Sequence, residues 1–397
     1  MVISAPPTII CNQNTPLSAG RFTLLTNTNF DPYTRFGLKK VINADGKMTI
    51  LGASTLSDAV VAGEKLGAQR FFEIAALSQA TGQYIAQLTG AEAGIIVNSA
   101  SAGIVQSVAA LIGQGSMHHV FHPFEPTLSR REIVLPLGQD INYGAPESLM
   151  IEMAGGQVVH AGYANECTPA QVDMMITEQT AAVLFVKSHH AVQKSMLTAS
   201  EAIAAAHARH VPIIIDAAAE EDLHEYIAAG ADLVIYSGTK AFSGPTSGFV
   251  VGRQQYIDWV RMQGQGIGRA MKIGKENILG LVAALDEYTT VPPKSGDTMK
   301  QQLTPLISQL NDIHGITANI VQDSAGRDIF RASLKVDPQV IAPEKLADAL
   351  RDGNPAIYVR AYRVNEGILE IDPRALTDEE LQQIVDQIQT IITKEKN

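Results

Sequence analysis

Three short segments of this 397-residue chain carry residue types that chemistry could use. The first is Asn98-Ser99-Ala100-Ser101-Ala102-Gly103, between an apolar run and a helical stretch. Small residues let a ligand approach the backbone, and the free N–H groups at a helix N-terminus suit phosphate. Ser99 and Ser101 add hydroxyls. The plain alternative is an N-cap on an ordinary turn. The second is Asp216, closing the run Val211-Pro212-Ile213-Ile214-Ile215. Ligands of open α/β sheets sit at the carboxyl ends of strands, so this carboxylate can face a pocket. The plain alternative is a helix cap. The third is Ser237-Gly238-Thr239-Lys240, also at the end of an apolar run. A lysine desolvated in a pocket can act as a nucleophile, whereas most lysines are solvated at the surface.

The combination is far more specific than any one segment. Asp216 and Lys240 lie about 24 residues apart, roughly one helix plus one strand of a βαβ unit. Pyridoxal 5'-phosphate needs a cup for its phosphate, an acid against its ring nitrogen and a lysine for its aldehyde. Here the three occur in that chain order, each at a strand end, so that cofactor is expected.

The elements that must position them alternate along the chain. Residues 57–81 read as a helix, 94–97 as a strand and 103–111 as a helix. Residues 182–186 form a continuous apolar run, as a strand buried on both faces does. An Ala-rich helix over 198–209 and strands at 211–215, 233–236 and 249–251 follow. This is the doubly wound α/β pattern. Beyond Pro292-Pro293-Lys294 the texture changes to strands at 330–336, 357–364 and 368–371. Leu381, Ile384, Val385, Ile388, Ile391 and Ile392 then recur at helical spacing. The expected organisation is an N-terminal arm over 1–50, a large cofactor-binding domain with a mostly parallel sheet over 51–290, and a small C-terminal α+β domain over 291–397. The Pro- and Asn-rich first 40 residues read as an arm that packs on a neighbour.

Composition narrows the setting. Hydrophobic residues make up 46% and charged residues 18%, which is ordinary for a globular chain. A net charge of −11 argues against a nucleic-acid footprint. Apolar runs are too short to span a bilayer, so no membrane partner is expected. The first twenty residues lack Lys, Arg and a long apolar core, and so do not read as a signal peptide. Two distant cysteines, Cys11 and Cys167, fit a reducing cytoplasm and no disulfide framework.

Further pieces carry a family likeness: Val41-Ile42-Asn43-Ala44-Asp45-Gly46-Lys47-Met48-Thr49, Lys187-Ser188-His189-His190, Asp216-Ala217-Ala218-Ala219-Glu220 and Gly268-Arg269-Ala270-Met271-Lys272. With the serine loop and the Lys240 segment they span most of the chain. The sequence resembles the fold-type-I, aspartate-aminotransferase-like pyridoxal-phosphate enzymes, and within them the SelA-like branch. That branch includes selenocysteine synthase and D-glucosaminate-6-phosphate ammonia lyase.

The resemblance implies that Lys240 bonds the cofactor and that Asp216 keeps the ring nitrogen protonated. Ser99, Ala100 and Ser101 would cradle the phosphate, helped by Ser237 and Thr239, with His189 or His190 at the cofactor face. It also implies a lyase acting by α,β-elimination on an amino acid such as a phosphorylated amino sugar acid, giving a 2-oxo acid and ammonia. One departure is Gln139, in a Pro-x-Gly-x turn where related lyases tend to carry histidine. Selenium transfer, aldol cleavage, racemisation and transamination stay open, because cofactor anchors do not fix the bond that breaks. A scaffold without catalysis is the remaining alternative.

Several residues have double readings. Gly264-x-Gly266-x-Gly268 lacks both Rossmann and Walker context. In this fold such a loop commonly reaches a neighbouring subunit's site, which would make Gly268 a cofactor contact in a homodimer or higher homo-oligomer. Arg35, Lys47 and Arg360 are candidates for an anionic substrate, against plain solvated charges. Arg360 and Arg363, three apart on a strand, point to opposite faces, so at most one reaches a pocket. Adjacent His118 and His119 read as surface or interface residues, and no metal site is expected.

Overall fold

The computed structural model describes residues 31–125, 128, 130–188, 190–291, 294–323 and 326–395. Residues 1–30, Pro292 and Pro293 lie outside this set, and with them Cys11 and most of the expected arm.

Seven strands form the central sheet: β2 (Ala93–Val97), β3 (Glu132–Pro136), β4 (Gln157–Ala161), β5 (Thr180–Val186), β6 (Ile213–Asp216), β7 (Leu233–Ser237) and β8 (Gly248–Gly252). Their order is β2-β8-β7-β6-β5-β3-β4. The run from β7 to β4 is parallel and β8 is antiparallel to both neighbours. Alternate residues feed two cores. Val183, Phe185, Ile213, Ile215, Val234 and Tyr236 pack on one face. Ala182, Leu184, Ile214, Leu233 and Ile235 pack on the other. Burial on both faces explains why these strands are unbroken apolar runs.

The C-terminal unit packs β9 (Ile316–Gln322), β10 (Phe330–Val336) and β12 (Ile368–Ile371) as an antiparallel sheet in the order β12-β10-β9. The helix Asp378–Glu395 covers it with Leu381, Ile384, Val385, Ile388 and Ile392. A separate pair joins β1 (Val41–Ala44) to β11 (Ala356–Val359) in parallel. Ile42 and Ala44 alternate into the C-terminal core, so this part of the expected arm is stitched into the small unit.

Three local expectations are corrected. The helix expected over 57–81 is two helices, Asp58–Ala68 and Ile74–Thr89. The first lies against the helix Lys275–Thr290 so closely that a Cβ on Gly67 would sit 2.6 Å from Glu276 Cα. The strand expected over 357–364 ends at Val359, because Val364–Glu366 winds into a 3-10 turn closed by left-handed Gly367. His119 is buried, its ring filling the space left by Gly113, while exposed His118 meets Glu125 at 2.9 Å.

Candidate active site

A cleft of about 570 Å³ opens where the carboxyl ends of the parallel strands face the C-terminal unit. The serine loop, Asp216 and the Lys240 loop line it together. Strand register brings them there. Val97 ends β2 opposite Gly248, and Gly248 starts β8 opposite Ser237. The loops after β2 and β7 therefore flank one glycine. A Cβ on Gly248 would sit 2.7 Å from Ala100 N and 2.8 Å from Tyr236 O, so no larger residue fits between them.

Ser99 caps the helix Ala100–Gly113, its Oγ accepting from Ala102 N at 3.0 Å. The cap and the phosphate reading are thus compatible. The side chain fixes the helix start, and the N–H groups of Ala100 and Ser101 have no partner within the helix. Ser101 Oγ meets Tyr143 Oη at 3.0 Å, and Ser237 Oγ meets Thr239 Oγ1 at 3.1 Å. Together these supply N–H and O–H donors to an oxygen-rich anion.

Asp216 ends β6 almost fully buried, and its Oδ1 accepts from Ala218 N at 3.0 Å. Burial raises the Asp216 carboxyl, and the chief influence opposing it is the positive charge of Lys240, half-buried in the turn after β7. Its turn is clamped from outside. Lys47 Nζ donates to the carbonyls of Lys240 and Ala241 and to Ser243 Oγ at 2.7 Å. Ser54 Oγ donates to Thr239 O at 2.8 Å. Burial pushes the Lys47 ammonium down to about 8, with Arg374 adding repulsion. Lys47 lines the cleft as expected, but its donors already hold the Lys240 turn.

The C-terminal unit contributes arginines that sequence reasoning did not single out: Arg327, Arg331 and Arg374. Arg331 bonds Asp323 at 2.8 Å and Asp372 at 3.0 Å, and Arg374 grips both oxygens of Asp372. The two arginines hold the buried Asp372 carboxyl down at about 2, against the burial that would raise it. Arg360, expected at the site, is present, buried and stacked 4.8 Å over the Tyr362 ring. Its Nη1 donates to Asp45 O at 3.1 Å, while its Nε makes no hydrogen bond and faces Glu370 Oε2 as an ion pair at 3.5 Å. Arg363 is exposed and pairs with Glu366. One arginine of the two reaches the cleft, although the strand ends before both.

The Asp372 cluster yields a stability prediction. Asp372→Ala leaves Arg331 and Arg374 without their shared anion and costs about 3–5 kcal/mol in urea unfolding. Its carboxyl is depressed in the fold, so its contribution is present above the ordinary aspartate range and fades as pH falls through about 2. A loss below about 1 kcal/mol at neutral pH would contradict this reading.

Other expected residues divide. His190 lines the cleft and meets Tyr362 edge-on at 5.5 Å. Burial first, then the charges of Lys240, Arg360 and Arg327, pulls its pKa down, which favours a neutral imidazole. His189 lies outside the described residues. Arg35 is exposed on the short helix Pro32–Phe36, beside the Phe36 ring and away from the cleft lining. Gly268 is buried against Gln106 and Gln263, also away from the cleft. Gln139 is buried, its Oε1 accepting from Val186 N at 2.8 Å, and does not line the cleft.

Sequence reasoning missed Tyr143 and Glu147, which come from the stretch between β3 and β4 and line the cleft floor. Pro146 before Glu147 marks a helix start, but nothing local points either side chain inward. Arg331 had a signal, a charge within an apolar strand. Among the described residues no cluster of His, Cys, Asp and Glu could hold a metal, and no helix is long and apolar enough to cross a membrane.

Residues 75–313 match the family model described as SelA, L-seryl-tRNA selenium transferase. The chain is 44% identical over 365 residues to D-glucosaminate-6-phosphate ammonia lyase of Salmonella typhimurium (strain 14028s / SGSC 2262), covering 90% of this chain and 97% of that one. It superposes on a solved structure of D-glucosaminate-6-phosphate ammonia-lyase with a TM-score of 0.85 at 42% identity, covering 93% of this chain and all of that one. A 5'-C-glycyluridine monooxygenase-decarboxylase of a Streptomyces species is 38% identical over 372 residues, 92% of this chain and 93% of that one. At the level of fold alone, the aspartate aminotransferase of Thermotoga maritima matches with a TM-score of 0.54 at 14% identity, over 91% of this chain and 94% of that one. The architecture is the fold-type-I one expected from the sequence.

Proposed function

Given that the chain belongs to the SelA family, we propose that it is a pyridoxal-phosphate lyase that removes ammonia from an anionic amino sugar acid of the class of D-glucosaminate 6-phosphate. The observation that carries this reading is the convergence of Lys240, Asp216 and the Ser99–Ser101 loop on one cleft whose far wall is arginine-rich. When bound, pyridoxal phosphate supplies a sink for the electron pair left at the substrate's Cα.

The chain's own residues do the rest. The Ala100 and Ser101 N–H groups and the Ser237 and Thr239 hydroxyls hold the phosphate. Asp216, whose ionised form the Lys240 charge and the Ala218 N–H favour against its burial, would balance a proton on the ring nitrogen. Lys240 would hold the cofactor at rest, and its free amine would take the substrate's Cα proton. It then hands that proton to the departing Cβ hydroxyl, so water leaves as the carbon–carbon double bond forms. The released amino-alkene tautomerises, takes up water and yields a 2-oxo acid and ammonia. Arg360 binds the substrate carboxylate, and His190 and Lys187 extend the polar wall.

The test is to incubate the enzyme with D-glucosaminate 6-phosphate and with its unphosphorylated form, and to measure 2-oxo acid and ammonia. Equal amounts of both products, with the phosphorylated substrate preferred, are expected. No 2-oxo acid from either would overturn the reading. Arg360→Met should raise KM at least about tenfold and leave kcat within a few-fold, because it removes a charge-assisted contact made equally in ground and transition states. The likeness to a monooxygenase-decarboxylase supports a second reading, in which the same anchors serve oxidative loss of carbon dioxide. Oxygen uptake with carbon dioxide release would favour it.

The proposal includes a cytoplasmic homodimer or higher homo-oligomer. Fully exposed Phe71, with half-exposed Leu66 and Ile74 nearby in sequence, supports a covered surface at this corner.

A further inference from the structure

Two carboxyl groups meet at the floor of the cleft. Glu147 opens the helix Glu147–Met153 and is 1% exposed, and Asp216 is 5% exposed. Both line the floor of one cleft, and each side chain bears on the other's proton affinity. Glu147 Oε2 is buried and meets no N–H or O–H donor of the protein. Two buried carboxylates in contact cannot both be ionised. The surroundings decide which of them is. Burial raises the Asp216 carboxyl, but the Lys240 charge, the Ala218 N–H and the Glu147 side chain all favour its ionised form. For Glu147, burial and the neighbouring Asp216 outweigh the Lys240 charge, and Asp140 adds to the repulsion. A buried carboxyl oxygen that meets no donor is satisfied when it carries the proton itself.

We propose that Glu147 holds the one proton this pair shares and donates it to Asp216, making Glu147 the positioning residue that keeps Asp216 ionised and fixed toward the cleft. Burial first, then the Asp216 charge, pushes Glu147 up to about 9. The pairing is a property of the protein without cofactor. Only its consequence for cofactor binding rests on the lyase reading.

Two variants test it. Glu147→Gln keeps a donor to Asp216, and Glu147→Leu keeps the shape without one. Infrared spectra of the cofactor-free protein should show a carboxylic-acid C=O stretch at neutral pH that fades as pH rises through about 9. Both variants should lack it. A carboxyl raised in the fold costs stability once the unfolded chain ionises. The Tm of Glu147→Gln should therefore gain on the parent as pH rises from about 5 to about 8.

With pyridoxal phosphate added, Glu147→Gln should keep the parent's visible absorbance maximum and cofactor Kd within about twofold. Glu147→Leu should weaken Kd about tenfold, the scale of a lost hydrogen bond to a charged group. No acid stretch in the parent at neutral pH overturns the pairing, and Leu behaving as Gln overturns the positioning role. A parent that takes up no pyridoxal phosphate overturns the lyase reading instead, and the infrared result still decides the pairing.

Discussion

Lys240→Ala lowers turnover of the amino sugar acid by at least about a thousandfold, because one amine serves as cofactor anchor, proton acceptor and proton donor. Three lysines line the cleft, Lys47, Lys187 and Lys240, and the geometry separates their roles. Lys47 is tied to the carbonyls of residues 240 and 241 and to Ser243. Lys187 follows β5, two strands away from β7 in the sheet. Only Lys240 sits in the turn beside both the serine loop and Asp216. Lys187→Ala should therefore keep turnover within about tenfold. Residual 2-oxo acid formation near the parent's rate, measured on folded protein, would remove Lys240 from the mechanism.

Asp216→Ala lowers kcat by about a thousandfold, the scale of losing one preorganised charge in a desolvated site. Its carboxylate is held by Ala218 N–H at the end of a strand buried on both faces, so it cannot turn to solvent. Without it the remaining carboxyl at that wall, Glu147, is kept protonated first of all by its burial, so nothing there balances a proton on the ring nitrogen. Asp216→Asn should be nearly as slow, since the amide keeps shape and loses charge. Stopped-flow loss of substrate would check both variants. A rate within tenfold of the parent for either would place the charge balance elsewhere. Adding acid does not rescue Asp216→Ala, because the missing element is a fixed negative charge.

The large sheet was legible because of its burial. Strands covered on both faces must be apolar throughout, so 182–186 and 233–236 stand out, and a polar residue at their ends marks the edge facing the cleft. That is why Asp216 and Lys240 could be picked from the sequence. The β1 strand was absorbed into an expected arm because its partner, β11, lies more than three hundred residues later. Tyr143 and Glu147 were invisible for a similar reason. They sit in short, aperiodic pieces whose inward direction is set by Ser101 and Asp216, not by neighbours in sequence. The arginine wall was half legible. Arg360 was chosen, while Arg327, Arg331 and Arg374 depend on the acids Asp323 and Asp372 that fold beneath them. Arg35 and Gly268 lie away from the cleft of their own chain, and the glycine loop was read from the sequence as reaching the site of a neighbouring subunit.

The most direct test of the central claim is the near-visible absorbance of the purified protein before and after borohydride, with a peptide map of the reduced sample. A yellow band that bleaches, with the reduced cofactor attached to Lys240, is the predicted result. A protein that stays colourless after pyridoxal phosphate is added, or a label on Lys47 or Lys187 in place of Lys240, would contradict it.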